Sequence, residues 1–254
     1  MSKKIVLKVG SNVLTTKDGQ IDLEVMSHLV AQIAQLKKSG YTIVLVSSGA
    51  VACGKSLYQL QNVDDVTTQR QVYSSIGQVK LMNIYTDLFL KHGLICAQVL
   101  ATKEDFMGGV QYKNMKNCFN GLLLDSIIPI VNENDVVSLD ELMFTDNDEL
   151  AGLTAFLISA DKLIILSNVE GLFDGNPEEP SSKIISTIGL KDNHLDKIQT
   201  SKSSAGRGGM ASKYSIGRKT ALKGISTTIA NGKKENVVLD ILSDKKIGTT
   251  FTTD

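Results

Sequence analysis

The sequence predicts an α/β fold in which helices cover both faces of a mostly parallel sheet. Three observations lead there: apolar, β-branched-rich runs recur along the chain, most of them are continuous rather than alternating, and stretches of helical periodicity separate them. A continuous apolar run suits a strand covered on both faces, and regular strand–helix alternation builds a parallel sheet between helix layers. The strand candidates, in order, are residues 5–9, 41–46, 94–100, 127–131, 163–166 and 225–230. Residues 22–38 set Val25, Leu29, Ile33 and Leu36 on one helical stripe, with Gly40 as the stop. Residues 68–91 carry Val72, Ile76, Val79 and Leu88 at helical spacing, and 115–124, 148–158 and 210–222 read similarly. Residues 134–147, with Val136 and Val137 divided from 142–144 by acidic residues, read as a β-hairpin. Residues 174–182 hold two of the 3 prolines beside Gly175 and Asn176, which reads as a loop; 193–210 are polar and glycine-rich. With no internal repeat and no shift in composition, residues 1–254 read as a single domain.

Composition narrows the function classes. A chain of 254 residues, 42% hydrophobic and 21% charged, is long enough for a full core and is neither disordered nor fibrous in composition. No stretch approaches 18 uninterrupted apolar residues, so no membrane role is expected, and the first eight residues hold too short an apolar run for a secretory leader. The 27 basic and 27 acidic residues cancel, which speaks against a nucleic-acid partner, although a local basic patch stays open. The 3 cysteines, Cys53, Cys96 and Cys118, are far apart, match no metal spacing and suit a reducing, cytoplasmic setting.

Several constellations could carry chemistry. Lys8, Gly10, Ser11 and Asn12 follow the first strand, where a lysine and donor amides could meet phosphate. The spacing is not that of a P-loop, and taken alone a solvated lysine at a strand edge is the simpler account. Ser47, Ser48, Gly49 and Ala50 form a small-residue turn after the second strand, where open α/β sheets bind ligands and where helix-start amides suit an anion. An ordinary tight turn explains it equally well. Asn132-Glu133-Asn134-Asp135 and Asp146-Asn147-Asp148-Glu149 flank the hairpin candidate. Any one of these is most simply a helix cap, but two dense clusters together offer acceptors for an ammonium and donors for a carboxylate, a pairing that suits an amino acid. Ser167 and Asn168 follow the fifth strand, and Arg207, Gly208, Gly209, Met210, Ala211, Ser212 and Lys213 open a helix as a phosphate cradle would.

These motifs, in this order, resemble those of the amino acid kinase family: KVGSNVL at 8–14, SSGA at 47–50, NENDV at 132–136, DND at 146–148, Gly171 and Leu172, and GGMASK at 208–213. The match runs along essentially the whole chain, and the NEND and DND pair is similar to the branch that phosphorylates the γ-carboxylate of glutamate. The resemblance implies a three-layer αβα sandwich, ATP and Mg²⁺ as cofactors, L-glutamate as acceptor, proline as feedback inhibitor and a homo-oligomer. It implies that Lys8 and Lys213 neutralise the transferred phosphoryl group and that Asp148 organises them. Ser48, Asp135 and Asn147 would bind glutamate, lined by Gly49, Ala50, Asn132 and Asn134. Lys8, Gly10, Ser11, Ser167, Asn168 and Arg207 to Lys213 would hold the nucleotide. Two departures stand out: Asn168 replaces a carboxylate common in the family, and Arg207 replaces a threonine. The small carboxy-terminal module that many relatives append has no counterpart before Asp254. Kinases of other acceptors, such as acetylglutamate, and a non-catalytic sensor on the same fold remain alternatives, since fold does not fix function.

Overall fold

A computed structural model describes residues 3–138, 144, 146–177, 179, 181–192 and 209–254. The apolar runs are strands: β1 (Lys4–Val9), β2 (Thr42–Ser47), β3 (Cys96–Ala101), β4 (Ile128–Glu133), β5 (Lys162–Ser167) and β7 (Ser226–Asn231). Two short strands, β6 (Thr187–Ile188) and β8 (Thr249–Phe251), have no apolar run and went unpredicted. The described strands form one 8-stranded sheet in the order β3-β4-β2-β1-β5-β7-β8-β6. Only β7 with β8 is antiparallel; the other neighbours pair in parallel.

Helices cover both faces. They are α1 (Ser11–Leu14), α2 (Leu23–Lys38), α3 (Ala50–Leu57), α4 (Val66–Leu90), α5 (Gly109–Leu124), α6 (Asn147–Ile158), α7 (Met210–Ala221) and α8 (Val237–Leu242). Strand side chains alternate between two cores. Ile5, Leu7 and Val9 of β1 join Met26, Ile33, Leu81, Tyr85 and Val238 from α2, α4 and α8. Val6, Val44 and Ile165 face Phe119, Leu150, Leu157 and Ile216 from α5, α6 and α7. Each such aliphatic side chain stabilises the fold by about 1.5–3 kcal/mol on burial. Lys8 shares the alternation of Val6, so it extends from β1 on the face covered by α6.

The buried stripe of α4 differs from the expected one. Val79 is exposed, and Tyr73, Leu81 and Tyr85 are buried around Gly77. The reason is α3: a Cβ on Gly77 would sit 1.7 Å from the Ala50 carbonyl oxygen, and one on Gly54 2.0 Å from that of Tyr73. The two glycines bring the helices into backbone contact, which rotates α4 away from the aliphatic stripe. The hairpin expectation also changes. Residues 135–137 form a turn closed by Val137 and Ser138 N–H groups donating to the Asn134 carbonyl, with Val136 and Val137 exposed. The other arm, 139–143 and 145, lies outside the described residues, as do 193–208.

Candidate active site

Because β1, β2, β4 and β5 are parallel neighbours, their carboxyl ends lie side by side, the usual ligand edge of an open α/β sheet. Backbone bonds fasten the turns that leave it: Ser48 N–H donates to Val9 O at 3.1 Å and Gly10 N–H to Leu166 O at 3.1 Å. Gly49 caps α3 with φ of 111°, a left-handed conformation that favours glycine. A Cβ on Gly10 would stand 3.4 Å from Lys8 Nζ, an ordinary contact that places the ammonium directly over the turn.

The centre of the edge is an ion-paired triad. Lys8 Nζ lies 2.5 Å from Asp148 Oδ1 and Lys213 Nζ 3.0 Å from Asp148 Oδ2. Asp148 is 0% exposed and each lysine 6%. Burial opposes ionisation of Asp148, but the Lys8 and Lys213 ammonium groups outweigh it and hold the carboxyl below its usual range. Two features bring α6 and α7 together there. Asp146 caps α6 by accepting from the Asp148 and Glu149 amides and also accepts from Ser212 Oγ at 2.5 Å, joining both helix starts. Further along, a Cβ on Gly152 would meet Ile216 Cγ2 at 3.3 Å, so glycine permits the close helix approach.

Beside the triad runs a chain of amides. Asn147 Nδ2 donates to Ser48 Oγ at 2.8 Å and to Asn132 Oδ1 at 3.0 Å. Asn132 Oδ1 also accepts the Glu133 amide at 2.9 Å, and Asn132 Nδ2 donates to Gln78 Oε1 at 3.0 Å. Next to it is an acidic pair. Arg70 bridges Asp135 Oδ1 at 2.5 Å and Glu133 Oε2 at 3.0 Å, and Ser74 Oγ donates to Asp135 Oδ2 at 2.8 Å. Burial, then the nearby Asp135 charge, pushes the Glu133 carboxyl above its ordinary value, against the opposing Phe144 amide and Arg70. A cavity of about 410 Å³ behind this pair is lined by Ser74, Gln78, Met82, Leu100 and Asp135.

Helix starts supply the remaining donors. α2, α4 and α6 are capped by Asp22, Asp65 and Asp146, whereas α1, α3 and α7 begin at Gly10, Gly49 and Gly209 with no side-chain cap. Uncapped first-turn amides are suited to an anion. The three lie around the triad: α1 after Lys8, α3 after Ser48, and α7 at Met210, Ala211 and Ser212, the Lys213 N–H being donated to the Gly209 carbonyl. Ser167 is buried at the end of β5 and Asn168 is exposed, their side chains 3.4 Å apart. Ser11 and Ala211 are also exposed. Arg207 and Gly208 lie outside the described residues.

Sequence reasoning thus located the triad and the Ser48–Asn147–Asn132 group, but it missed Arg70, Ser74 and Gln78, and with them the ion pair between Arg70 and Asp135. The signal was present: residues 70, 74 and 78 recur every four positions, one row along a helix. Nothing in the linear pattern says that this row faces the NEND cluster.

The amino acid kinase family matches residues 3–231. The glutamate 5-kinase of Bacteroides thetaiotaomicron is 50% identical over 250 residues, 98% of this chain and 69% of that protein. The glutamate 5-kinase of Chlorobaculum tepidum is 46% identical over 252 residues, 98% of this chain and 69% of its own length. Among solved structures, carbamate kinase from Giardia lamblia bound to AMP-PNP superposes with a TM-score of 0.72 at 16% identity, covering 100% of this chain and 99% of that one. The isopentenyl phosphate kinase of T. acidophilum, in its product complex, gives 0.69 at 14% identity, covering 98% and 100%. The chain belongs to the amino acid kinase family. Its fold is that family's αβα sandwich, and it is a kinase.

Proposed function

We infer that the chain transfers the γ-phosphoryl group of ATP to the γ-carboxylate of L-glutamate, giving L-glutamyl 5-phosphate and ADP for proline synthesis. The observation that carries this reading is the buried Lys8–Asp148–Lys213 triad beside the Ser48–Asn147–Asn132 group, in a chain 50% identical to a glutamate 5-kinase. A carboxylate is already a nucleophile, so the site needs no general base; one glutamate oxygen bonds to the γ-phosphorus as the bond to the β-phosphate bridging oxygen breaks. What remains for the protein is in-line placement and compensation of charge on a loose transition state. Lys8 and Lys213 supply that charge, and Asp148 keeps both ammonium groups directed at one point before substrate arrives.

Ser48, Asn147 and Asn132 bind the acceptor, with Gly49 and Ala50 forming the turn beneath it and Asn134 the far rim. Asp135 receives the substrate ammonium in competition with Arg70, whose guanidinium keeps its second partner, Glu133. Gly10, Ser11, Ser167, Asn168, Arg207, Gly208, Gly209, Met210, Ala211 and Ser212 hold the nucleotide, with the uncapped α1 and α7 amides toward its phosphates. Among the described residues no group of three or more His, Cys, Asp or Glu could hold a metal ion, and both Asp148 oxygens are taken by lysines. The donor set fits no resident metal cage, so Mg²⁺ belongs to the substrate as MgATP, on phosphate oxygens and water.

The test is ADP release with glutamate, acetylglutamate and aspartate, with hydroxylamine to trap the acyl phosphate. Glutamate should be strongly preferred, because a blocked α-nitrogen carries no charge with which to displace Arg70 from Asp135 and a shorter chain misplaces the nucleophile. Equal turnover of acetylglutamate sinks the assignment. Proline, sharing the ammonium and α-carboxylate, competes at this pocket; rates unchanged at millimolar proline and low glutamate refute that. A cytoplasmic homo-oligomer is the expected form, supported by exposed Val79, Leu90 and Leu100 along α4 and edge strand β3. A monomer mass by light scattering contradicts it.

A further inference from the structure

We propose that Gln78 is a positioning residue that anchors the Asn132 amide and, through Asn147, holds the Ser48 hydroxyl where it can donate to a substrate carboxylate. The proposal rests on the glutamate reading above. It begins at one group whose polarity cannot change: the Glu133 backbone N–H can only donate, and it donates to Asn132 Oδ1. The other end of that amide, Nδ2, must then donate, and the acceptor it meets is Gln78 Oε1. Asn132 Oδ1 is also the acceptor of Asn147 Nδ2, which orients the Asn147 amide so that the same NH₂ donates to Ser48 Oγ. A hydroxyl that already accepts keeps one proton to donate. The Ser48 N–H is occupied by Val9 O and its carbonyl by Ser47 Oγ, so its hydroxyl is the polar group that remains to face the pocket. Its proton can donate to a carboxylate oxygen of the substrate.

Without the Gln78 acceptor the Asn132 amide is anchored at its oxygen end alone. Asn132 could turn away from an unpaired burial of Nδ2, Asn147 would lose its second acceptor, and Ser48 would be free to rotate.

A second observation separates this from plain packing. Gln78 is 8% exposed, yet its Nε2 has no hydrogen-bond partner among the described residues. A buried amide donor without a partner is destabilising, and a methionine of similar shape would avoid that cost. Glutamine at this place is therefore explained by its oxygen rather than by its contribution to the fold.

The experiment is steady-state kinetics of Gln78→Met in the wild-type and Ser48→Ala backgrounds, with melting temperature as a folding control. In the wild-type background the glutamate KM should rise roughly five- to tenfold, the scale of one net hydrogen bond, with kcat and the ATP KM within about twofold. In the Ser48→Ala background the same substitution should add less than about twofold, because its effect passes through Ser48. A wild-type glutamate KM, an equal rise in both KM values, or an undiminished effect in the Ser48→Ala background overturns the proposal. Should Gln78→Met not fold, Gln78→Leu, which equally lacks the acceptor oxygen, takes its place in both backgrounds with the same outcomes deciding. Wild-type turnover is measured first, so failure with glutamate itself strikes the function and not the role of Gln78.

Discussion

Replacing Asp148 with asparagine should both destabilise the protein and slow it. The substitution keeps the shape and removes the charge that two ammonium groups share at 2.5 and 3.0 Å. Each pair represents about 4 kcal/mol of gross attraction at ~4 Å and an effective dielectric of ~20. Most of that offsets desolvation, so the net cost of removing one partner from a buried cluster is about 3–5 kcal/mol. For a domain this large, at about 2–4 °C per kcal/mol, the melting temperature should fall by roughly 6–20 °C at pH 7.5. The loss must also follow pH with a definite sign. The folded carboxyl is held below its usual range, so its contribution is complete above the ordinary aspartate value of about 4 and disappears as pH falls through the lower one. The gap between wild type and variant is therefore constant from pH 6 to 8 and narrows only below about pH 4. Turnover should fall at least about 100-fold, because both lysines lose their fixed direction. Differential scanning fluorimetry across pH, together with coupled ADP assays, measures both. A melting temperature within ~2 °C of wild type at pH 7.5, with turnover within threefold, would refute the electrostatic account of the triad.

Lys213→Ala should lower kcat by at least roughly 100-fold and also lower the melting temperature, since it leaves buried Asp148 with Lys8 alone; near wild-type turnover would remove it from the mechanism. Gly77→Ala should destabilise by more than the 1–3 kcal/mol usual for overpacking, because the new methyl group would lie 1.7 Å from a carbonyl oxygen of α3; an unchanged denaturation midpoint would show that α3 and α4 can part freely. Glu133→Gln tests the raised carboxyl. Ionising Glu133 is disfavoured in the folded state, so wild-type stability from this group is full below the ordinary glutamate value and lost as pH rises through the raised one. The melting temperature of the variant relative to wild type should therefore climb with pH across that window, and a pH-independent difference contradicts it.

The sequence by itself determined the layers and most of the reaction edge. The runs at 5–9, broken only by Lys8, and at 163–166 suit doubly covered strands; Lys8 stands near the carboxyl end of its run, and a serine–glycine turn and an Asn/Asp cluster directly follow others. Chain connectivity places those motifs at strand ends whatever the rest of the molecule does. Lys213 was legible for the same local reason, standing one turn inside a helix opened by glycines. What only tertiary structure decided is which side chains meet across elements. Arg70, Ser74 and Gln78 are a polar row on α4, and their encounter with Glu133, Asp135 and Asn132 depends on the rotation of that helix. Gly54 and Gly77 set the rotation through backbone contacts with Tyr73 and Ala50, which belong to the opposite helix. Periodicity instead favoured Val72, Ile76 and Val79, because aliphatic spacing records where a helix could be buried, not how near its neighbour can come. The short β6 and β8 were hidden likewise: they are held by pairing with each other and with β7, and no local propensity records a partner contributed by a distant segment.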